Sequence, residues 1–137
     1  MRLVQTVLDT TNPRELAEFY RQLLGWSYPP DHEPPPAGQP DPDGDDWLNL
    51  RAPGGGHGLA FQKTERLARS TWPSPEVPQQ LHLDIEVGTR EELDAEHERV
   101  LALGGEMIFD RSDDEQEPLR VYADPAGHPF CLFVGGQ

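Results

Sequence analysis

The sequence predicts an α+β fold in which one β-α-β-β-β unit occurs twice. The first observation is the stretch 81–86, where apolar and polar side chains alternate with the period of a half-buried strand. The second is a similar strand at 4–9, and each of the two strands leads into a capped helix. Superposing the two stretches brings Gln5 onto His82. We therefore expect two repeats that form a curved mixed sheet around a shared cleft.

The first repeat begins with a strand predicted at 3–8 and a helix with a strong start signal. Asn12 can accept a hydrogen bond from a free N–H of the first turn, Pro13 suits the first helical position, and Glu15 completes a capping box. Gly25 ends the helix. The apolar side chains of this helix recur at helical spacing and are Leu16, Phe19, Tyr20, Leu23 and Leu24. Further strands are predicted at 26–28, 47–51 and 59–63.

The second repeat follows the same order. After the strand at 81–86, Thr89 opens a second capping box, and the glycine pair at 104–105 ends the helix. Three strands are then predicted at 107–110, 119–123 and 129–134. We expect a single domain in which residues 1–63 form repeat one, 64–79 form a linker and 80–137 form repeat two.

The segment 29–46 has an unusual composition, with seven prolines, six acidic residues and no Lys or Arg. Such a segment cannot bury much apolar surface, and we expect a long exposed loop. A calcium-binding loop beginning at Asp41 would need Gly at its sixth position and Glu at its twelfth. Those positions hold Asp46 and Ala52, which argues against calcium.

Overall composition excludes several classes of partner. The net charge of −14 would repel phosphate backbones and anionic membranes, so we expect neither a nucleic acid nor a membrane partner. No apolar run approaches the roughly 18 residues that span a bilayer. Because Cys131 is the only cysteine, no internal disulfide can form, and a reducing cytoplasm is the expected compartment.

Several motifs, taken in order, resemble the vicinal oxygen chelate superfamily, which contains glyoxalase I, the extradiol dioxygenases and the bleomycin-type resistance proteins. The motifs are NPRELAEFY at 12–20, LGW at 24–26, HLD at 82–84, LGG at 103–105 and DPAGHPF at 124–130. They span nearly the whole chain, and the similarity is greatest to the small glyoxalase-like proteins of this superfamily. The resemblance also implies a homodimer.

Catalytic members of this superfamily hold one divalent metal in the cleft. The resemblance places the four ligand positions at Gln5, Ala60, His82 and Cys131. Acidic ligands would stand at the second and fourth of these positions, and Ala60 offers no donor atom. We therefore expect no metal cofactor, since His82 and Cys131 with a weak amide ligand do not make a complete site.

The expected ligand site lies on the polar, inward faces of the opening and closing strands. The ligand-binding candidates are Gln5, Trp47, Phe61, Gln62, His82, Tyr122 and Cys131. His82 and Asp84 are the candidates for a general base. For Cys131, whose strand is strongly apolar, an inert buried thiol is favoured over a nucleophile.

Two functions remain open from the sequence. The first is a binding protein that holds a small organic molecule in the cleft, without a catalytic metal. The second is a lyase or isomerase of glyoxalase type in which His82 or Asp84 acts as the base. The resemblance argues against glyoxalase I and extradiol dioxygenase activities, because the carboxylate ligands that both chemistries use are missing.

Overall fold

The computed structural model describes residues 1–136, which divide into two compact units, Met1–Leu67 (unit 1) and Ala68–Gln137 (unit 2). Each unit contains one α-helix and one mixed β-sheet, of three strands in unit 1 and four strands in unit 2. The α+β fold with two similar repeats is therefore confirmed. Within the described residues, neither helix has the length and apolarity that crossing a bilayer would require.

Unit 1 contains strands β1 (Gln5–Thr10), β2 (Trp47–Leu50) and β3 (Gly58–Lys63). Their order is β1-β3-β2, with β1 parallel and β2 antiparallel to β3. Helix α1 (Pro13–Leu24) packs on one face of this sheet. The cap is as predicted, because Oδ1 of Asn12 accepts a hydrogen bond from the amide of Glu15 at 3.2 Å.

The buried face of α1 supplies the core of unit 1. Leu16, Ala17 and Tyr20 are fully buried. The ring of Tyr20 stacks on Phe61 of β3, with centroids 6.0 Å apart. At the end of the helix, Gly25 adopts a φ of 69°, which a residue with a side chain rarely adopts.

Two predicted strand boundaries in unit 1 are wrong. Instead of a strand at 26–28, the structure shows a single bridge, in which Ser27 exchanges two backbone hydrogen bonds with Arg51 (3.2 and 2.8 Å). The first strand begins at Gln5 rather than at residue 3, because its partner strand begins at Gly58, the residue paired with Gln5. Before that point, the carbonyl of Val4 accepts one bond from the amide of Gly58 at 3.0 Å, and Leu3 is exposed.

The proline-rich segment 29–46 contains two 3₁₀ turns, Pro30–His32 and Asp43–Asp45. Its residues are mostly exposed, and Arg14 of α1 holds two points of it. The guanidinium donates to both carboxylate oxygens of Asp41 (2.8 and 2.9 Å) and to the carbonyl of His32 at 2.7 Å. It also lies 5.0 Å from the ring centroid of Tyr28. The segment is therefore held against α1 by these contacts and is not a free loop.

Unit 2 contains strands β4 (Leu83–Val87), β5 (Glu106–Arg111), β6 (Leu119–Ala123) and β7 (Pro129–Val134), in the order β4-β7-β6-β5. Helix α2 (Arg90–Leu103) is capped by Thr89, whose hydroxyl accepts from the amide of Glu92 at 3.1 Å. The carboxylate of Glu92 accepts from the amide of Gly88 at 2.7 Å, so the reciprocal bond of the predicted capping box is made one residue before the cap.

The strand predicted at 81–86 is shifted in the structure to Leu83–Val87, which leaves His82 just before it. β4 pairs only with β7, and the register joins Leu83 to Phe130. One residue earlier the partner would be Pro129, which has no N–H to donate to a ladder. The first residue of the pairing is therefore set by this proline.

The face of the unit 2 sheet that α2 covers carries a small polar network. Nδ1 of His97 on α2 lies 2.9 Å from the hydroxyl of Tyr122. Tyr122 itself is fully buried and stacks on Phe130 at 5.4 Å. Burial raises the pKa of Tyr122 to about 12. This tyrosine is thus a core residue on the helix side of the sheet.

Candidate functional site

The opposite face of the unit 2 sheet carries a pocket of about 460 Å³. Because side chains alternate along a strand, the residues between those that contact α2 point to this second face. One row of aligned residues crosses all four strands and consists of Asp84, Cys131, Val121 and Phe109. A second row contains Phe133, Leu119 and Arg111. These two rows form the floor of the pocket, which is mainly apolar.

One wall of the pocket comes from the segment before β4, which contributes Trp72, Pro73 and Gln79. The indole of Trp72 packs edge-to-face on Phe109, with centroids 5.8 Å apart and planes at 74°. The wall is held in place by a closed turn, in which the amide of Thr71 donates to the carbonyl of Val77 and its hydroxyl accepts from the Val77 amide (both 2.8 Å).

Two pairs of polar side chains, of which one is an ion pair between Arg111 and Glu117, stand at the polar parts of the pocket. Nε2 of His82 lies 3.1 Å from Oδ1 of Asp84, and Nη2 of Arg111 donates to Oε2 of Glu117 at 2.8 Å. All four side chains line the cavity. They place hydrogen-bonding groups beside a hydrophobic floor, which is the usual construction of a small-molecule site.

Two further polar atoms of the lining lack partners within residues 1–136. They are Oε1 of Gln79, an acceptor, and Nε of Arg111, a donor, and both are shielded from solvent. A buried polar group without a hydrogen bond costs about 1–3 kcal/mol.

Cys131 lies on the floor with 6% of its surface exposed. Burial raises the pKa of its thiol to about 11, and the carboxylates of Asp84 and Glu117 add to this effect, while Arg111 acts against it. The thiol is therefore neutral at physiological pH. A neutral thiol is a poor nucleophile and a poor metal ligand.

The structure brings together only part of the predicted site. His82, Asp84 and Cys131 share the unit 2 pocket. Phe61 and Tyr122 are fully buried on the helix-covered faces of their sheets, away from this pocket, and their contact with a ligand stays a prediction. The period-2 alternation explains this, because the neighbours Ala60 and Val121 take the opposite face.

The remaining candidates belong to unit 1. Gln5, Trp47 and Gln62 share the face of the unit 1 sheet that points away from α1, since Gln62 pairs with Trp47 and Gln5 pairs with Gly58 on the same strand. Gln62 is exposed, and Nε1 of Trp47 donates to the side chain of Asn49 at 2.5 Å. Their contact with a ligand stays a prediction.

Sequence reasoning missed most of the pocket. Trp72, which lies in the predicted linker, is not among the predicted ligand-binding residues. Phe109, Arg111 and Glu117 are also absent from that prediction. One signal was available for Phe109, because it lies on the same face as Cys131 once the strands are aligned. For Trp72, the signal was a large aromatic residue within a polar, proline-rich stretch.

The residues at the family's metal-ligand positions do not fit a divalent ion. Ala60 has no donor atom, and the thiol of Cys131 holds its proton because burial raises its pKa to about 11. Across residues 1–136, no group of three or more His, Cys, Asp and Glu side chains is arranged to hold a metal. No step of a mechanism can be assigned to a metal from these residues.

A comparison with protein families finds one that matches residues 5–133 and is described as a glyoxalase-like domain. A search of curated proteins found no match.

Solved structures share the fold. A glyoxalase/bleomycin resistance protein/dioxygenase family enzyme from Burkholderia phytofirmans is 17% identical, with a TM-score of 0.70 over 98% of both chains. A glyoxalase/dioxygenase from Nostoc punctiforme is 16% identical, with a TM-score of 0.69 over 99% of this chain and 92% of that one. A lactoylglutathione lyase from Agrobacterium tumefaciens is 18% identical, with a TM-score of 0.61 over 96% and 92%.

Proposed function

This chain belongs to the glyoxalase-like domain family, and from that membership we propose that it binds a small organic molecule in the unit 2 pocket without a catalytic metal. The observation that carries the proposal is the corner between Trp72 and Phe109, which stands over an apolar floor beside the His82–Asp84 pair. The pocket has a volume of about 460 Å³, which is in the range that drug-sized ligands occupy.

The shape of the pocket favours a flat, aromatic ligand. Rings at an angle of 74° offer one face and one edge, and a third ring can stack on Trp72 while its edge meets Phe109. Phe109 is 40% exposed and lines the pocket, so part of its ring is open to a bound molecule.

The test is the direct binding of neutral, flat aromatic molecules such as indole and 2-naphthol, measured by calorimetry and by thermal shift. We expect saturable binding that Trp72→Ala weakens at least tenfold and that Trp26→Ala, a matched change in unit 1, leaves unchanged. Elemental mass spectrometry of the same tag-free protein tests the metal-free part. One equivalent of a divalent ion per chain, lost in His82→Ala, would refute that part.

A second candidate is a lyase or isomerase of glyoxalase type. It is favoured by the His82–Asp84 pair, because a carboxylate oxygen 3.1 Å from Nε2 favours the tautomer with the proton on Nε2, whose Nδ1 lone pair can act as a general base. Both side chains line the pocket, so a bound α-hydroxycarbonyl compound or its thiol adduct could be deprotonated there. Turnover that both His82→Asn and Asp84→Asn abolish, while ligand binding persists, would establish the enzyme over the binder.

We also propose that residues 1–137 fold as one domain and pair as a homodimer in the cytoplasm. The family resemblance supports the dimer, and the single cysteine supports a reducing compartment. Light scattering after gel filtration tests the dimer. A single cooperative unfolding transition that is the same by fluorescence and circular dichroism tests the domain, and two separate transitions would contradict it.

A further inference from the structure

Among the described residues that line the pocket, Arg111 is the one guanidinium, and it is already engaged. Its Nη2 donates to Oε2 of Glu117 at 2.8 Å, and the two side chains are 40% and 66% exposed. Arg111 ends β5 and Glu117 precedes β6, so the pair closes the turn between two neighbouring strands. An approaching ligand therefore meets a neutralised arginine.

The turn between these strands is built to hold Glu117 in this position. Oδ1 of Asp114 accepts hydrogen bonds from the amides of Gln116 and Glu117, both at 2.8 Å. Arg90 of α2 fixes the turn from the other side, donating to the carbonyls of Ser112 at 2.9 Å and Asp114 at 2.6 Å. Because the backbone is fixed, Glu117 loses less conformational entropy when it pairs with Arg111 than a free side chain would.

The rest of the pocket is electrically negative. Asp84 adds a second carboxylate to the lining. The thiol of Cys131 reports the balance at the floor, where burial raises its pKa most, Asp84 and Glu117 raise it further, and Arg111 only partly opposes them. On a larger scale, residues 68–137 hold fifteen Asp and Glu against five Arg, so unit 2 carries a net charge of −10 of the total −14.

We propose that Glu117 sets the charge selectivity of the pocket, so that it takes flat aromatic ligands that are cationic or neutral and rejects aromatic carboxylates. The inference rests on the proposed function and names the ligand class of the same site. A ligand carboxylate would have to displace Glu117 from Arg111 or lie near two carboxylates. An ammonium group would instead find Glu117 and Asp84 as partners.

Three indoles that share one ring system test the proposal by calorimetry at low ionic strength. They are tryptamine (cationic), 3-methylindole (neutral) and indole-3-acetate (anionic). We expect the wild-type protein to bind tryptamine and 3-methylindole, and to bind indole-3-acetate at least tenfold more weakly than tryptamine. In Glu117→Gln, Arg111 is released, and the gap between the two charged indoles should close or reverse.

Glu115→Gln is the matched control, because Glu115 lies in the same turn and is exposed but does not line the pocket. It removes the same unit of charge, so the long-range field changes equally, and the preference should remain. Tighter binding of indole-3-acetate than of tryptamine by the wild type, or equal effects of the two substitutions, would overturn the inference while the binding function stands. If none of the three indoles binds, the proposed function itself fails.

Discussion

Nε2 of His82 lies 3.1 Å from Oδ1 of Asp84, and both side chains line the pocket of unit 2. The imidazole is 43% exposed, so it can reach a bound ligand. We expect His82→Ala to weaken the binding of 2-naphthol, which carries a hydroxyl group, about fivefold, since one hydrogen bond contributes roughly 1 kcal/mol.

An indole without a hydroxyl group provides the comparison. The affinity for 3-methylindole should fall by much less in the same variant. His57→Ala removes a histidine from unit 1, where its ring bonds to Thr6, and should change neither affinity. Equal losses for both ligands in His82→Ala would show that His82 shapes the wall rather than bonding to the ligand.

Phe61 and Phe109 are the same residue type in opposite surroundings, and their alanine variants should behave differently. Phe61 is fully buried against Tyr20, so Phe61→Ala should cost about 3–5 kcal/mol of unfolding free energy. Phe109 is 40% exposed, so Phe109→Ala should cost less than about 1.5 kcal/mol but weaken aromatic ligands. Urea unfolding and calorimetry measure the two effects. Loss of binding in a folded Phe61→Leu variant would reinstate Phe61 as a ligand contact.

The thiol of Cys131 should react slowly. Because burial raises its pKa to about 11, its thiolate population at pH 7.5 is roughly 300-fold below that of an ordinary cysteine with a pKa near 8.5. We expect alkylation by iodoacetamide to accelerate about tenfold per pH unit, without a plateau between pH 7 and 10. The protein unfolded in guanidinium is the control and should react at the ordinary rate. A plateau near pH 8 in the folded protein would indicate an activated thiol.

The pair between Arg14 and Asp41 should control the protection of the segment 29–46. The side chain of Arg14 is 16% exposed and donates two hydrogen bonds to Asp41. A lysine cannot make this two-pronged contact, so Arg14→Lys should lower the free energy of unfolding by about 1.5–3 kcal/mol. Limited proteolysis or hydrogen exchange within 29–46 should report the loss. Arg21→Lys is a matched control on the same helix, because its partner Glu18 lies one turn away rather than on the segment.

The same pair has a defined pH dependence. The hydrogen bonds from Arg14 hold the pKa of Asp41 below its usual range, so the carboxylate stabilises the folded protein at neutral pH. That contribution is complete above the ordinary aspartate pKa of about 3.9 and is lost as the pH falls through the lower folded value. The protection of 29–46 against hydrogen exchange, measured relative to the intrinsic exchange rate at each pH, should therefore fall in acid in the wild type, and Asp41→Asn should remove this step.

Local signals in the sequence determine much of this fold. The helix caps Asn12 and Thr89 and the terminating Gly25 lie where the sequence places them, because a cap depends on atoms within four residues. Strand ends were less predictable. The starts of β1 and β4 follow from Gly58 and Pro129 on their partner strands, and such pairings are long-range.

The pocket was harder to predict than the fold, and the reason is also physical. His82, Asp84 and Cys131 could be placed on one face by their spacing within strands. Trp72 reaches the same face from a segment without any period, so its position depends on the turn between Thr71 and Val77. The partnership of Arg111 with Glu117 likewise depends on how the intervening turn folds back.

The hydrogen bond between the amide of Asn49 and Nδ1 of His32, at 3.0 Å, has a consequence for the behaviour of the protein at high concentration. Asn49 lies on β2, the outermost strand of its sheet, and an uncovered outer strand can recruit a strand from another molecule. His32 occupies this amide, and Ser27 occupies the backbone groups of Arg51 just beyond it. The segment that provides the cover contains seven prolines, which cannot donate ladder hydrogen bonds. The proline-rich segment thus covers part of this edge, where a strand of another molecule could otherwise pair in fibre-like aggregation, and the segment cannot itself extend the sheet.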